Sequence, residues 1–331
     1  MFLAGDVGGT KSTLILFSRQ GSALQVVFRS RIGTREFSSA AELVESFLAQ
    51  ARVEGVAVRE LEMASLACAG AVVDGRVVTN NLPWTVETEP LSKSLGLPSS
   101  RLFLLNDLVA AAASLDHLTP SDFLPLNDAS SQPRAPKALI AAGTGLGEAL
   151  LFWDGHGYRI FPSEASLTDF APRNDRELLL VHSLRQRMPR VCCEEIVSGR
   201  GFRAIHQIIF PGVQHAWFDD PSIDPAAKIT QQALDGACPA CVETLQIWTE
   251  AYGAEAGNMA LRVLPFGGVY VAGGIALKIL PKMKDGSFVR VFSDKAKLSK
   301  ELARIPIYLV LNEDAPVLGA AYEGLASVAT S

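Results

Sequence analysis

Two short glycine turns and one aspartate are the parts of this chain best suited to chemistry. The turns are Asp6-Val7-Gly8-Gly9-Thr10-Lys11 and Gly143-Thr144-Gly145-Leu146-Gly147. Each lies between two short apolar runs, residues 1–4 and 13–17 for the first, 138–142 and 149–153 for the second. Apolar runs this short, bounded by glycine, read as buried strands, which puts each turn at the tip of a β-hairpin. Glycine there lets backbone N–H groups converge on one point, a nest for anionic oxygens. Two nests, with Thr10 and Thr144 at matching places, point to two loops gripping one polyphosphate. Either turn alone is better read as a plain hairpin.

Residues 5–12 come within one residue of a Walker A loop, but Thr10 stands where its second glycine belongs, and a strand follows instead of a helix. The second turn lacks both the spacing and the helix of a dinucleotide fingerprint. Asp107 follows the apolar strand 102–105 and opens an alanine-rich helix. It has two readings: a helix cap, or a carboxylate at a strand end that takes a proton from a hydroxyl nucleophile. The helix N-terminus favours its ionised form. Asp6 suits a water-mediated Mg²⁺ ligand beside phosphate oxygens, or a turn-stabilising Asx bond. Gly273-Gly274 follows the strand 268–272 and precedes a helix, so either a nucleotide approaches there or the helix packs closely on the strand.

The elements that must position these residues follow from pattern. A third strand (24–31) and a helix (40–52) come after the first hairpin, then a strand (64–68) and a hairpin through Asp74-Gly75. A loop around Asn81, a short helix (91–95) and the strand before Asp107 complete this half. The second strand-turn-strand unit runs to a turn at Asp154-Gly155. Helices are expected at 176–187, 201–209, 225–234 and 242–264, then strands at 268–272 and 307–311 and a closing helix from Pro316. The β-β-β-α opening and its echo at 138–160 imply a duplicated α/β fold of two lobes with a cleft between them. Residues 1–113 plus 314–331 form the expected small lobe, and 114–313 the large one.

A net charge of −5 without any Lys/Arg cluster argues against a nucleic-acid partner. No apolar run is long enough to cross a bilayer, and no basic leader precedes the first strand. Five cysteines, an odd number, fit reduced thiols and a cytoplasmic setting. Cys238-Pro239-Ala240-Cys241 has the spacing of a redox pair or half a zinc site. No second pair at finger spacing accompanies it, His206 and His215 are scattered, and the motif opens a core helix. It is therefore read as structural.

The ordered set Asp6–Lys11, Asn106-Asp107, 143–147, Asp169-Phe170-Ala171-Pro172, Ser198-Gly199 and Ala272-Gly273-Gly274-Ile275 resembles that of bacterial ATP-dependent glucokinases. The likeness covers nearly the whole chain. It implies the two-lobed actin-like ATPase fold, with ribonuclease H-like lobes, of the hexokinase–actin–Hsp70 superfamily. The cysteine triad of zinc-containing ROK sugar kinases is absent, so the zinc-free branch is the better match. By this resemblance Asp107 is the catalytic base acting on the 6-hydroxyl of glucose. Asn81, Asn106, Glu164 and Glu194 bind other sugar hydroxyls alongside Asp107. Gly8, Gly9, Thr10, Lys11, Gly143, Thr144 and Gly145 hold the phosphates of ATP, Gly273 and Gly274 meet the adenosine, and Asp6 serves Mg²⁺ indirectly. A homodimer, the commonest assembly, is expected.

One loop departs from the family pattern. Pro162-Ser163-Glu164-Ala165-Ser166-Leu167-Thr168 stands where the family has Pro-Gly-Glu-Gly-Gly-His before its Val-Asp-Phe-Ala-Pro run. Leu167 replaces the histidine that donates to sugar hydroxyls. Two alternatives to a glucose kinase stay open on this ground: a kinase of another hexose or hexose derivative, and a catalytically weak sugar sensor.

Overall fold

The computed structural model describes every residue except Ser22, Asn80, Asn81, Thr330 and Ser331, with Ala23 and Ala329 described in backbone only. Chain contacts divide it into two units, Met1–Thr119 with Asn312–Ser331, and Pro120–Leu311.

The first unit is a five-stranded sheet, built from β1 (Phe2–Val7), β2 (Lys11–Gln20), β3 (Ala23–Gly33), β4 (Met63–Cys68) and, beyond the small hairpin β5 (Ala71–Val73) and β6 (Arg76–Val78), β7 (Leu102–Asn106). The order is β3-β2-β1-β4-β7. β1 and β2 form an antiparallel hairpin closing at Val7 opposite Ser12, while β4 and β7 run parallel to β1. Period-two alternation splits the side chains between two cores. Leu3, Leu14, Leu16 and Leu66 face Leu43, Val44 and Phe47 of helix α1 (Ala40–Val53). Phe2, Ala4, Ile15 and Phe17 face Val317 and Ala321 of the C-terminal helix Ala315–Ala329. With helices on both faces, β4 is buried at every position, which is why it reads as unbroken apolar sequence.

Two further helices follow in this unit, α2 (Thr88–Ser94) and α3 (Asp107–Ser114). The C-terminal helix lies against α3, and Gly319 permits the approach: a Cβ there would sit 1.7 Å from Ala110 O. In register, Val7 pairs with Cys68 and Cys68 with Asn106, so three parallel strands end side by side. That edge carries Asp6 and Asp107 two strands apart, about 10 Å at the usual strand spacing.

The second unit repeats the strand order. β9 (Lys137–Ala142), β10 (Leu146–Trp153) and β11 (Tyr158–Ser163) form the antiparallel part, with β12 (Gly268–Ala272) and β13 (Ile307–Val310) parallel to β9. The sheet runs β11-β10-β9-β12-β13, with one antiparallel edge strand, β8 (Phe123–Pro125), added beyond β13. Strand 307–310 stays in this sheet, and only the closing helix joins the first unit. Helices α4 (Asp175–Leu184), α5 (Cys193–Ile196), α6 (Gly199–Ile209), α7 (Pro225–Leu234) and α8 (Pro239–Val263) surround it. Trp248 and Tyr252 of α8 are fully buried, and the Tyr252 hydroxyl donates to Ile140 O of β9 at 3.2 Å. No helix among the described residues is long and apolar enough to cross a membrane.

Candidate functional site

Both glycine turns sit where the sequence puts them, at the β1–β2 and β9–β10 hairpin tips. In the first, the carbonyls are tied from behind. The Thr34 hydroxyl donates to Gly8 O at 2.6 Å, Arg35 Nε to Gly9 O at 3.3 Å, and Thr34 N–H to Thr10 O at 3.0 Å. Buried Ser12 fixes the Thr34 hydroxyl at 2.8 Å. Pinning the acceptors of a turn orients its peptide planes, the arrangement an anion-binding nest requires. A Cβ on Gly8 would lie 2.8 Å from Lys11 O, so a side chain would disturb the turn. Thr10 and Lys11 are exposed.

The second turn is fixed differently. Gly143 N–H donates to Gly145 O at 2.8 Å, and Gly199 N–H, at the start of α6, donates to Gly143 O at 2.9 Å. Leu146 N–H donates to Glu194 Oε2 at 3.0 Å, and Arg200 Nη2 donates to Glu194 Oε1 at 2.8 Å. A Cβ on Gly145 would meet that carboxylate at 2.5 Å. The turn is thus physically linked to one of the expected sugar-binding acids. Gly273 has φ +91° and packs so close to β9 that a Cβ would lie 2.6 Å from Ala142 O. Close packing alone requires glycine at 273, while Gly274, the first residue of the helix Gly274–Lys278, faces open space.

At the edge of the first sheet, Asn106 is the N-cap of α3. Its Oδ1 accepts from Leu108 N–H and Val109 N–H at 2.9 and 3.2 Å, and its Nδ2 donates to Gly70 O at 3.0 Å. Asp107 is the first residue of the helix, half-buried, with its Oδ1 taking a share of Leu108 N–H at 3.0 Å. Capping is therefore mainly the work of Asn106. Asp6 lies at the end of β1 beside the first turn. Burial pushes its carboxyl up to about 7, and the negative charges of Asp107 and Asp314 add to the effect against the opposing Arg31. Two acids on one sheet edge, one of them costly to ionise, fit a hydrated Mg²⁺, which keeps most of its waters and takes few carboxylates.

The variant loop forms a single 3-10 turn, Ala165–Leu167. Glu164 precedes it and is exposed, and Leu167 is half exposed. Thr168 O accepts from Cys193 N–H at 3.0 Å, which joins this loop to α5. Glu194 is in the one-turn helix α5. Asn81 lies outside the described residues.

Sequence and structure comparisons both find relatives of this chain. A profile of the glucokinase family matches residues 3–325. The glucokinase of Nostoc punctiforme is 37% identical over 340 residues, covering 97% of this chain and 98% of its own. A glucokinase structure from an Antarctic psychrotroph superposes with a TM-score of 0.81 at 24% identity, covering 98% of each chain. A ROK family glucokinase from Streptomyces griseus, solved with glucose and AMPPNP, gives 0.65 at 19% identity, covering 97% of this chain and 98% of that one. The shared architecture is the actin-like ATPase fold of sugar kinases.

Proposed function

Since the chain belongs to the glucokinase family, we propose that it transfers the γ-phosphate of ATP to the 6-hydroxyl of glucose, giving glucose 6-phosphate and ADP. The observation that carries this reading is the pairing of full-length family membership with two fixed glycine turns and an aspartate at the end of β7. In this reading Asp107 accepts the proton of the attacking hydroxyl as the O–P bond forms. Asn106, Glu164, Glu194 and Asn81 hold the remaining hydroxyls, since carboxylates and amides offer acceptors and mixed edges to vicinal diols. Asn106 has one amide hydrogen uncommitted among the described residues for this purpose. Gly8, Gly9, Thr10, Lys11, Gly143, Thr144 and Gly145 receive the phosphates, with Gly273 and Gly274 near the adenosine. Asp6 would hold Mg²⁺ through water, and the ion supplies charge neutralisation at the phosphates. Catalysis is otherwise positioning and preorganised donors. A cytoplasmic setting belongs to the same proposal, on the odd number of cysteines in the chain. Assembly as a homodimer belongs to the same proposal.

A coupled ADP-release assay across glucose, mannose, glucosamine and fructose tests this. Glucose is expected to give the highest kcat/KM, a better substrate would reassign the specificity, and no sugar-dependent turnover would favour a sensor.

Exposed Leu167 is the specific observation behind the second reading, a kinase of another hexose. An apolar side chain offers no donor to a sugar hydroxyl. A hydrogen bond involving a charged group contributes about 1.5–3 kcal/mol, one to two decades in affinity. Leu167→His is therefore expected to lower KM for glucose by about tenfold or more with little change in kcat. An unchanged KM in steady-state kinetics would mean that the loop presents residue 167 away from the sugar.

A further inference from the structure

The fold brings together four residues that looked unrelated in sequence. His206 lies on α6, His215 just before the 3-10 turn Ala216–Phe218, Cys238 at the N-cap of α8, and Cys241 in its first turn. One donor atom from each lies within 4.8 Å of all the others. His215 Nε2 is 3.8 Å from Cys238 Sγ and 3.9 Å from Cys241 Sγ. We propose that these four side chains form a closed, structural Cys₂His₂ zinc site in the second unit.

Geometry supports the assignment. Zn–S bonds of about 2.3 Å and Zn–N bonds of about 2.0–2.1 Å give tetrahedral edges of about 3.3–3.8 Å, so the donors need to contract by about half an ångström each. A second observation is independent of the clustering. His206 is fully buried, yet neither ring nitrogen has a hydrogen-bond partner. Around it are the rings of Phe218 at 5.2 Å and Phe210 at 6.0 Å, which offer no acceptor. A buried imidazole left unpaired is destabilising, and a metal removes that penalty.

The chemistry fits as well. Zn²⁺ binding releases two thiol protons to solvent, and two thiolates with two neutral imidazoles then balance the ion's charge, which suits an apolar surround. Mixed sulfur and imidazole donors in a tetrahedron select zinc over magnesium or calcium. With all four positions filled by protein, none is left for a substrate. The consequence is mechanical. The first residue of α6 is bonded to Gly143 of the second glycine turn, and the metal ties the other end of α6 to the start of α8.

The test uses full-length protein stripped with chelator under reductant and titrated with Co²⁺. One equivalent per chain is expected to give the intense visible bands of tetrahedral cobalt with sulfur-to-metal charge transfer, both erased by one equivalent of Zn²⁺. His206→Ala and Cys241→Ser should each weaken cobalt binding by at least about 100-fold, while Cys192→Ser leaves it unchanged. Restoring zinc should raise the Tm of stripped protein by about 5 °C. An octahedral spectrum, no cobalt uptake, or equal uptake by both ligand variants overturns the site. So does finding only three of the five thiols reactive in denatured, freshly purified protein, because Cys238 and Cys241 would then form a disulfide. If a ligand variant fails to fold, the wild-type titration and thiol count still decide.

Discussion

Asp107→Ala is expected to reduce kcat by at least about 10², to leave sugar affinity within about tenfold, and to change Tm little. The kinetic loss follows from the role assigned to this carboxylate. A positioned base contributes about 10²–10⁴ to a proton transfer, and an alanine in its place leaves the hydroxyl to lose its proton to water. Affinity should be spared because, in the proposed role, Asp107 meets only one of the sugar's several hydroxyls. Stability is spared because Asn106, not Asp107, supplies the main cap of α3. The reciprocal variant separates the two functions: Asn106→Ala removes the cap and costs about 1 kcal/mol of stability. Steady-state kinetics on both variants, with thermal melts, checks the assignment. A near-normal kcat in Asp107→Ala removes the residue from its role, and a large fall in Tm with it returns Asp107 to a structural one.

How far these residues could be read from sequence depended on how local their determinants are. The hairpin tips at Gly8-Gly9 and Gly143–Gly145 were legible because glycine between two apolar runs is a short-range signal. Helix Pro225–Leu234 starts at its proline and ends before Asp235-Gly236, and the structure agrees residue for residue. The duplication was legible from the echoed strand pattern, while the actin-like fold came with the resemblance to glucokinases; the two sheets carry the same strand order. Edge strand β8 was not legible, since Phe123-Leu124-Pro125 is too short to hold a pattern. Nor was the bond from Leu146 N–H to Glu194, which joins residues 48 apart in the chain. The reading of Cys238 and Cys241 as merely the start of a core helix set His206 and His215 aside as scattered for the same reason. The separation from His215 to Cys238 is set by helix α7 between them, not by a compact metal-binding loop. The one local hint was the Cys-x-x-Cys spacing itself, which is that of half a zinc site.

Asp6→Asn is expected to make the protein more stable and less active, with the stability gain growing as pH rises. The sign follows from proton binding. Unfolded Asp6 has the ordinary value of 3.8, and the folded chain raises it to about 7. Below 3.8 both states hold the proton and Asp6 favours neither. Between 3.8 and 7 the folded state keeps a proton that the unfolded state has released, so each step upward in pH shifts the balance toward unfolding. Above 7 both are ionised and the full penalty is present, on the order of 4 kcal/mol. An asparagine never carries the charge. The difference in Tm between variant and wild type should therefore be small at pH 4, widen through pH 7, and reach about 5 °C or more at pH 8. With the proposed acid beside the phosphates removed, kcat should fall by about 10²-fold or more. If Asp6 holds Mg²⁺ through water as proposed, the same proton competes with the ion in the wild type, so the magnesium concentration for half-maximal rate should be about tenfold higher at pH 6 than at pH 8, a dependence the variant lacks. A Tm difference that is flat across pH would show that Asp6 ionises normally in the folded chain. In that event no strain is held at the sheet edge for a cation to relieve, and the pairing of Asp6 with Asp107 would have to be explained by packing alone.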